Sequence, residues 1–258
     1  MPSLSVVLPT YNERDNIVAL IDAIRQNLPQ PEIVVVDDDS PDGTWQVVQA
    51  LAAKRPCVRL VHRTAERGLT SALQRGIDES HGEVVCWMDC DFSMPPPTLP
   101  LMQRAIEDGA DVAIGSRYAP GGRDARADRT AVLFSAVINR FARLLLGGPV
   151  RDYTTGFVAA RRAVLDRIRL RGDYGEYCID FLARARRSGF RIAEVGYVCQ
   201  PRAAGQSKTA PSFWGFIRRG RKYVTTILRL SVHRRDDPLP GPPPPPRTRG
   251  KPLGGGGG

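Results

Sequence analysis

The sequence predicts an α/β protein whose mostly parallel sheet is flanked by helices. Three observations predict it. Short β-branched runs alternate with longer segments of helical periodicity as far as Ile114, turn formers separate the two kinds, and three of the apolar runs end in polar or acidic clusters. Strands alternating with helices imply right-handed crossovers and a mostly parallel sheet.

The elements follow in order. Leu4 to Leu8 is an apolar strand closed by Pro9, and Glu13 to Asn27 has helical spacing. Ile33 to Val36 is a second strand, running into Asp37-Asp38-Asp39. Ser40-Pro41-Asp42-Gly43 is a turn, with a helix over Thr44 to Lys54. Val58 to Val61 is a strand, Gly68 to Ser80 a helix, and Val84 to Met88 a strand ending in Asp89-Cys90-Asp91. A helix from Leu99 to Asp108 leads to the strand Val112 to Ile114.

The second half reads differently. Pro120-Gly121-Gly122 opens an Arg-rich loop reaching Arg129, and an apolar helix follows from Ala131 to Leu146. Helices at Arg162 to Ile168 and Glu176 to Ser188 precede a strand at Ile192 to Val198, and a last helix runs from Ser212 to Leu230. Beyond Asp236 the chain is rich in Pro and Gly, a composition that cannot pack a core. The expected organisation is a catalytic unit over 1–210, a basic amphipathic helix over 211–235 and a disordered tail over 236–258.

The 258 residues carry a net charge of +10, with four Lys among 37 basic residues and 33 Arg. A basic, Arg-rich chain calls for an anionic partner: a phosphorylated substrate, a membrane surface or nucleic acid. Five cysteines without a C-x-x-C pair argue against both a disulfide framework and a zinc site, and fit a reducing cytosol. No signal peptide opens the sequence, and no run of 18 apolar residues is free of charge.

The chemistry gathers at the strand ends. In an open parallel sheet the carboxyl ends of the strands line one ligand crevice. Pro9-Thr10-Tyr11-Asn12-Glu13, Asp37-Asp38-Asp39 and Asp89-Cys90-Asp91 therefore meet there. One such Asp is more often a turn or cap residue; three groups together point to a site. Asp89 and Asp91, two residues apart in extended chain, point to the same side and can share one hard cation, Mg²⁺ or Mn²⁺. Neither a G-x-G-x-x-G nor a P-loop sequence is present, so metal and Arg must hold any phosphate.

These stretches, with Arg67-Gly68-Leu69, Gly115-Ser116-Arg117-Tyr118, Asp152-Tyr153-Thr154-Thr155-Gly156-Phe157 and Arg202-x-x-Gly205-Gln206-Ser207-Lys208, resemble family-2 glycosyltransferases of GT-A fold. The likeness is strongest to the dolichyl- and polyprenyl-phosphate mannosyltransferases, and it keeps their order from residue 4 to about 208. It implies an inverting enzyme moving mannose from GDP-mannose to a lipid monophosphate. Pro9, Tyr11, Glu13, Val36 and Asp38 would hold the nucleotide. Asp89, Asp91 and Ser93 would serve metal and diphosphate, and Cys90 would contact the donor through its backbone. Arg117, Arg202 and Lys208 would face phosphates.

Ser135 matches an acceptor-phosphate residue. The Arg usual four positions before it is Ala131 here, with Arg129 as the substitute. Cys90 stands where Ala is usual, and Gln206 where Glu is usual. The acceptor phosphate is expected between Arg117 and the loop bearing Arg123, Arg126 and Arg129. Asp152 is the candidate for positioning or base duty, or else a capping residue.

Within Ser212 to Leu230, Phe213, Phe216, Ile217, Val224, Ile227 and Leu228 share one face, with Arg218, Arg219, Arg221, Lys222 and Arg229 largely opposite. Such a helix suits an anionic membrane surface, and placement on the cytoplasmic face is expected; a core-packed helix with a solvated basic face is the alternative. His62, His81 and His233 lack ligand spacing. The competing functions are transfer from a UDP-sugar to a soluble or protein acceptor, a non-catalytic membrane adaptor, and a basic nucleic-acid-binding protein. The last lacks any recognition motif or aromatic stacking platform.

Overall fold

The computed structural model describes residues 3–201 and 213–232. A seven-stranded sheet has the order β3-β2-β1-β4-β7-β5-β8. Its strands are β1 (Leu4–Thr10), β2 (Glu32–Asp37), β3 (Val58–His62), β4 (Val84–Trp87), β5 (Val112–Ser116), β7 (Val158–Arg161) and β8 (Ile192–Gly196). The helices are α1 (Arg14–Asn27), α2 (Thr44–Ala52), α3 (Leu69–Glu79), α4 (Leu99–Glu107), α5 (Arg129–Leu146), α6 (Arg162–Leu165), α7 (Glu176–Arg187) and α8 (Phe213–Val232). A two-residue parallel ladder joins β6 (Arg123–Asp124) to β9 (Val198–Cys199).

Side-chain alternation divides the core in two. Val6 and Leu8 of β1 point to one face with Ile33 and Val35; Val7 points to the other with Val34 and Val36. Central strands of a parallel sheet are covered on both faces, hence their nearly continuous apolar runs. On the first face lie α1, through Ile17, Leu20, Ile21 and Ile24, and α4, through Leu99, Met102 and Ile106. Each such buried side chain contributes about 1.5–3 kcal/mol relative to exposure. The second face carries α3, α5, α7 and α8. Helix α3 approaches closely because Gly76 has no Cβ: one placed there would lie 2.3 Å from Val7 Cγ1.

Strand β7 is not expected from the sequence. It is antiparallel to both neighbours, pairing Trp87 with Val158 and Ile114 with Val158. Its Val-Ala-Ala-Arg carries little β-branched signal, and its place is set by the neighbours it fills between. Running against them, it brings Thr154-Thr155-Gly156, just before its start, to the carboxyl ends of β4 and β5.

Helix α8 packs against α5 and α7. Ile227 and Leu230 are buried in the core, with Tyr223 and Val224 against them. This corrects the expectation that Val224 and Ile227 face a bilayer; Leu228, by contrast, is exposed with Arg221 and Arg229. The side chains of 213–219 and the Pro/Gly tail lie outside the described residues. Among the described residues no helix is long and apolar enough to cross a membrane.

Candidate active site

Three strands leave the sheet through left-handed backbone at non-glycine residues: Asn12 (φ 55°) after β1, Asp39 (φ 57°) after β2 and Phe92 (φ 62°) after β4. Asn and Asp tolerate this region; for Phe it is costly, and such strain concentrates at functional sites. The three turns border a cavity of about 470 Å³, lined by Pro9, Tyr11, Glu13, Asp38, Asp89, Cys90 and Asp91 among others. The expected donor residues are thus largely gathered in one place.

Buried pairs hold the cavity wall. Asp38 accepts from Arg63 Nε at 2.7 Å and from the Gly68 backbone N–H at 2.8 Å. Arg63 in turn donates to the Gly68 carbonyl at 3.1 Å and to Ser71 Oγ at 2.9 Å. Asp38 therefore fixes the loop carrying Arg67, whose guanidinium lies 5.7 Å from the Tyr11 ring centroid. Asp37 is wholly internal, accepting from Thr10 Oγ1 at 2.8 Å and Ser40 Oγ at 2.7 Å. Asp39 instead pairs with His62 Nε2 at 2.9 Å.

Asp89 and Asp91 both line the cavity. The left-handed turn at Phe92 lets the Ser93 N–H donate to Asp91 Oδ1 at 3.0 Å. Five carboxylates line this cavity (Glu13, Asp38, Asp89, Asp91, Asp173) and, among the described lining residues, one cation, Arg67. A diphosphate entering such surroundings requires an added positive charge. No group of three or more His, Cys, Asp or Glu among the described residues could hold a metal alone. Two carboxylates with open positions nevertheless fit Mg²⁺ or Mn²⁺, which keep waters and take the rest of their ligands from substrate phosphates.

A second cavity, about 210 Å³, adjoins the first, and Leu69, Asp89 and Tyr174 line both. Arg117, Arg126, Ala131, Ser135, Thr154 and Gly156 line the second. Arg117 grips Asp152 with Nε at 2.8 Å and Nη2 at 2.7 Å, and its backbone N–H reaches the same carboxylate at 3.0 Å. It also donates to Thr154 Oγ1 at 2.8 Å and Asp124 at 3.3 Å. Burial alone would lower the Arg117 pKa, but the Asp152 charge and hydrogen bonds reverse this and hold it well above the ordinary arginine value. Arg126 donates to Asp124 at 2.8 and 2.7 Å and to Ser135 Oγ at 3.0 Å. Burial raises the Asp124 pKa, while Arg126 and Arg117 outweigh it and hold the carboxyl below the usual range.

Several expectations change. Asp152 is completely buried, lines neither cavity and pairs with Arg117. Arg129 is exposed at the start of α5 and lines neither cavity; its neighbour Arg126 stands beside Ser135 instead. The Val36 side chain packs in the core and does not line the first cavity. Ser93 sits behind Asp91, its carbonyl accepting from the Gln200 N–H at 3.0 Å. Arg202 and Lys208 lie outside the described residues.

Arg63, Asp124, Asp173 and Tyr174 escape a reading of the sequence. Arg67-Gly68-Leu69 signals its loop, but nothing local marks Arg63, whose partner Asp38 lies 25 residues away.

Residues 5–169 match the family model described as glycosyl transferase family 2. The chain is 39% identical over 214 residues to a polyprenol monophosphomannose synthase of Mycolicibacterium smegmatis, covering 80% of this chain and 81% of that protein. It is 38% identical over 209 residues to a dolichol-phosphate mannosyltransferase of Pyrococcus furiosus, covering 80% of this chain and 58% of that longer protein. Its fold is similar to that of glucosyl-3-phosphoglycerate synthase from Mycobacterium tuberculosis, solved with Mn²⁺, UDP and glucosyl-3-phosphoglycerate. The TM-score is 0.67 at 22% identity, over 90% of this chain and 80% of that one.

Proposed function

The chain belongs to glycosyl transferase family 2, and from that premise we propose that it moves mannose from a nucleotide-diphosphate donor, GDP-mannose, to a polyprenyl monophosphate. The observation that carries this reading is the meeting of the two cavities at Asp89. One is acidic and suited to a metal-bridged diphosphate, and the other is walled by Arg117, Arg126 and Ser135.

In this reading Tyr11, Glu13, Asp38 and Arg67 surround the nucleotide. Asp89 and Asp91 would hold Mg²⁺ or Mn²⁺, which supplies the positive charge that stabilises the departing diphosphate. The acceptor phosphate lies against Arg117, Arg126 and Ser135. One of its oxygens forms the new bond to the anomeric carbon as the bond to the donor diphosphate breaks on the opposite face, inverting the centre. A phosphate monoester has a second pKa near 6, so its oxygen is already anionic at neutral pH. It needs orientation more than a base, in keeping with a buried Asp152. Charge-assisted Arg–phosphate bonds give that orientation.

Helix α5 links the site to a membrane. Its inner face contributes Ala131, Phe134 and Ser135 to the second cavity. Its outer face exposes Leu133 (66%), Val137 (57%) and Leu144 (78%), with Arg129, Arg140 and Arg143 also exposed. Such a stripe suits peripheral docking on the anionic cytoplasmic leaflet, assisted by Arg221 and Arg229 of α8.

The test is transfer from radiolabelled GDP-mannose and UDP-sugars to a polyprenyl monophosphate and to the matching alcohol. Mannose should reach the monophosphate alone. Equal rates with the alcohol would replace this reading with a soluble or protein acceptor.

A further inference from the structure

Resting on the acceptor reading above, we propose that Asp124 competes with the acceptor phosphate, occupying Arg126 as a stand-in until a dianionic headgroup displaces it.

Two guanidiniums, of Arg117 and Arg126, line the second cavity, and the two buried carboxylates that pair with them, Asp124 and Asp152, are not equivalent. Asp152 is completely buried beneath Arg117, taking its Nε, Nη2 and backbone N–H, with Asn139 Nδ2 at 3.4 Å behind it. Asp124 instead spans the gap between the two guanidiniums, 2.7 Å from Arg126 Nη2 and 3.3 Å from Arg117 Nη1. Its backbone belongs to a two-residue strand that, among the described residues, pairs at Arg123↔Val198 and Asp124↔Cys199. So short a ladder opens at little cost compared with the central sheet.

The charges make the consequence specific. With Asp152 on Arg117 and Asp124 on Arg126, the cluster is formally neutral and attracts no anion. A phosphate monoester carries about −1.5 to −2 near neutrality and offers three acceptor oxygens, enough to span Arg117, Arg126 and the Ser135 hydroxyl together. An alcohol brings no charge and leaves Asp124 in place. Asp124 thus weakens phosphate binding by competing for Arg126, a competition that an uncharged acceptor does not meet.

Asp124→Asn keeps the shape and removes the charge. Binding of farnesyl monophosphate, glycerol 3-phosphate, inorganic phosphate and farnesol to the full-length protein is measured by isothermal titration calorimetry, without donor. Farnesyl monophosphate should bind the variant about tenfold more tightly, equivalent to 1.4 kcal/mol, and farnesol should show no gain. A gain shared by glycerol 3-phosphate and inorganic phosphate locates the effect in the headgroup; one confined to farnesyl monophosphate ties it to the lipid ester. Asp124→Glu, which retains the charge, should show no gain. If the amide variant does not fold by circular dichroism, Asp124→Ser makes the same test of charge. Equal or weaker binding by the neutral variant would make Asp124 a mere prop for Arg126 and overturn the proposal alone. No binding of farnesyl monophosphate by either protein would overturn the acceptor reading with it.

Discussion

Removing the Arg117 side chain should cost more in stability than a typical arginine truncation, and a second substitution should recover much of the loss. Arg117→Ala strips the bidentate contacts at 2.8 and 2.7 Å from a carboxylate with no solvent exposure. Leaving a buried charge without its partner typically costs about 3–5 kcal/mol. Asp152 keeps the backbone N–H of residue 117 at 3.0 Å and longer contacts from Asn139 at 3.4 Å and the Thr154 N–H at 3.3 Å. The expected loss is therefore near the lower end, about 3 kcal/mol, or a fall in Tm of roughly 6–12 °C for a domain of this size. In Arg117→Ala/Asp152→Asn the stranded charge is gone, and about half of the loss should return. Neither variant should transfer sugar at more than about 1% of the normal rate, since the second cavity, the proposed acceptor site, has lost a guanidinium. Thermal and urea unfolding of wild type, both single variants and the double variant measure the coupling as a double-mutant cycle. Additive losses, or a loss below about 1 kcal/mol for Arg117→Ala, would refute the pairing argument.

Asp89→Asn or Asp91→Asn should reduce transfer at least about a hundredfold with the circular dichroism spectrum unchanged; full activity in EDTA, with no metal by elemental analysis, would refute the metal assignment. Gly156→Ala places a methyl where the two cavities join, 3.9 Å from an Asp89 carboxylate oxygen and 3.1 Å from the movable Met94 Cε. Transfer should drop about tenfold or more with stability changed by less than about 1 kcal/mol, and an unaltered rate would show that the join is not the reaction path. Exchanging Leu133, Val137 and Leu144 together for Gln should weaken sedimentation with anionic liposomes more than about tenfold, given about 1.5–3 kcal/mol per large apolar side chain buried. Binding that persists unchanged would place the docking surface elsewhere.

Much of the site lies close to what local sequence dictates. Leu4–Leu8, Ile33–Val36 and Val84–Met88 are apolar because a parallel sheet buries both faces, and an open sheet collects its strand ends in one crevice. Tyr11, Glu13, Asp38, Asp89, Cys90 and Asp91 thus fall together for a topological reason that short-range periodicity reveals. What the tertiary structure decided were relations between distant segments. The Arg117–Asp152 pair joins positions 35 residues apart, and its burial has no signature in spacing. That Arg126 stands beside Ser135 while Arg129 is exposed depends on which side of α5 the preceding loop folds against. Helical periodicity identifies an apolar face on α8 but not what covers it: Ile227 and Leu230 meet the core, while α5 leaves Leu133, Val137 and Leu144 outside. The 3.6-residue repeat sorts side chains around a single helix, and only packing against the rest of the chain determines whether the apolar side meets protein or is left for a membrane.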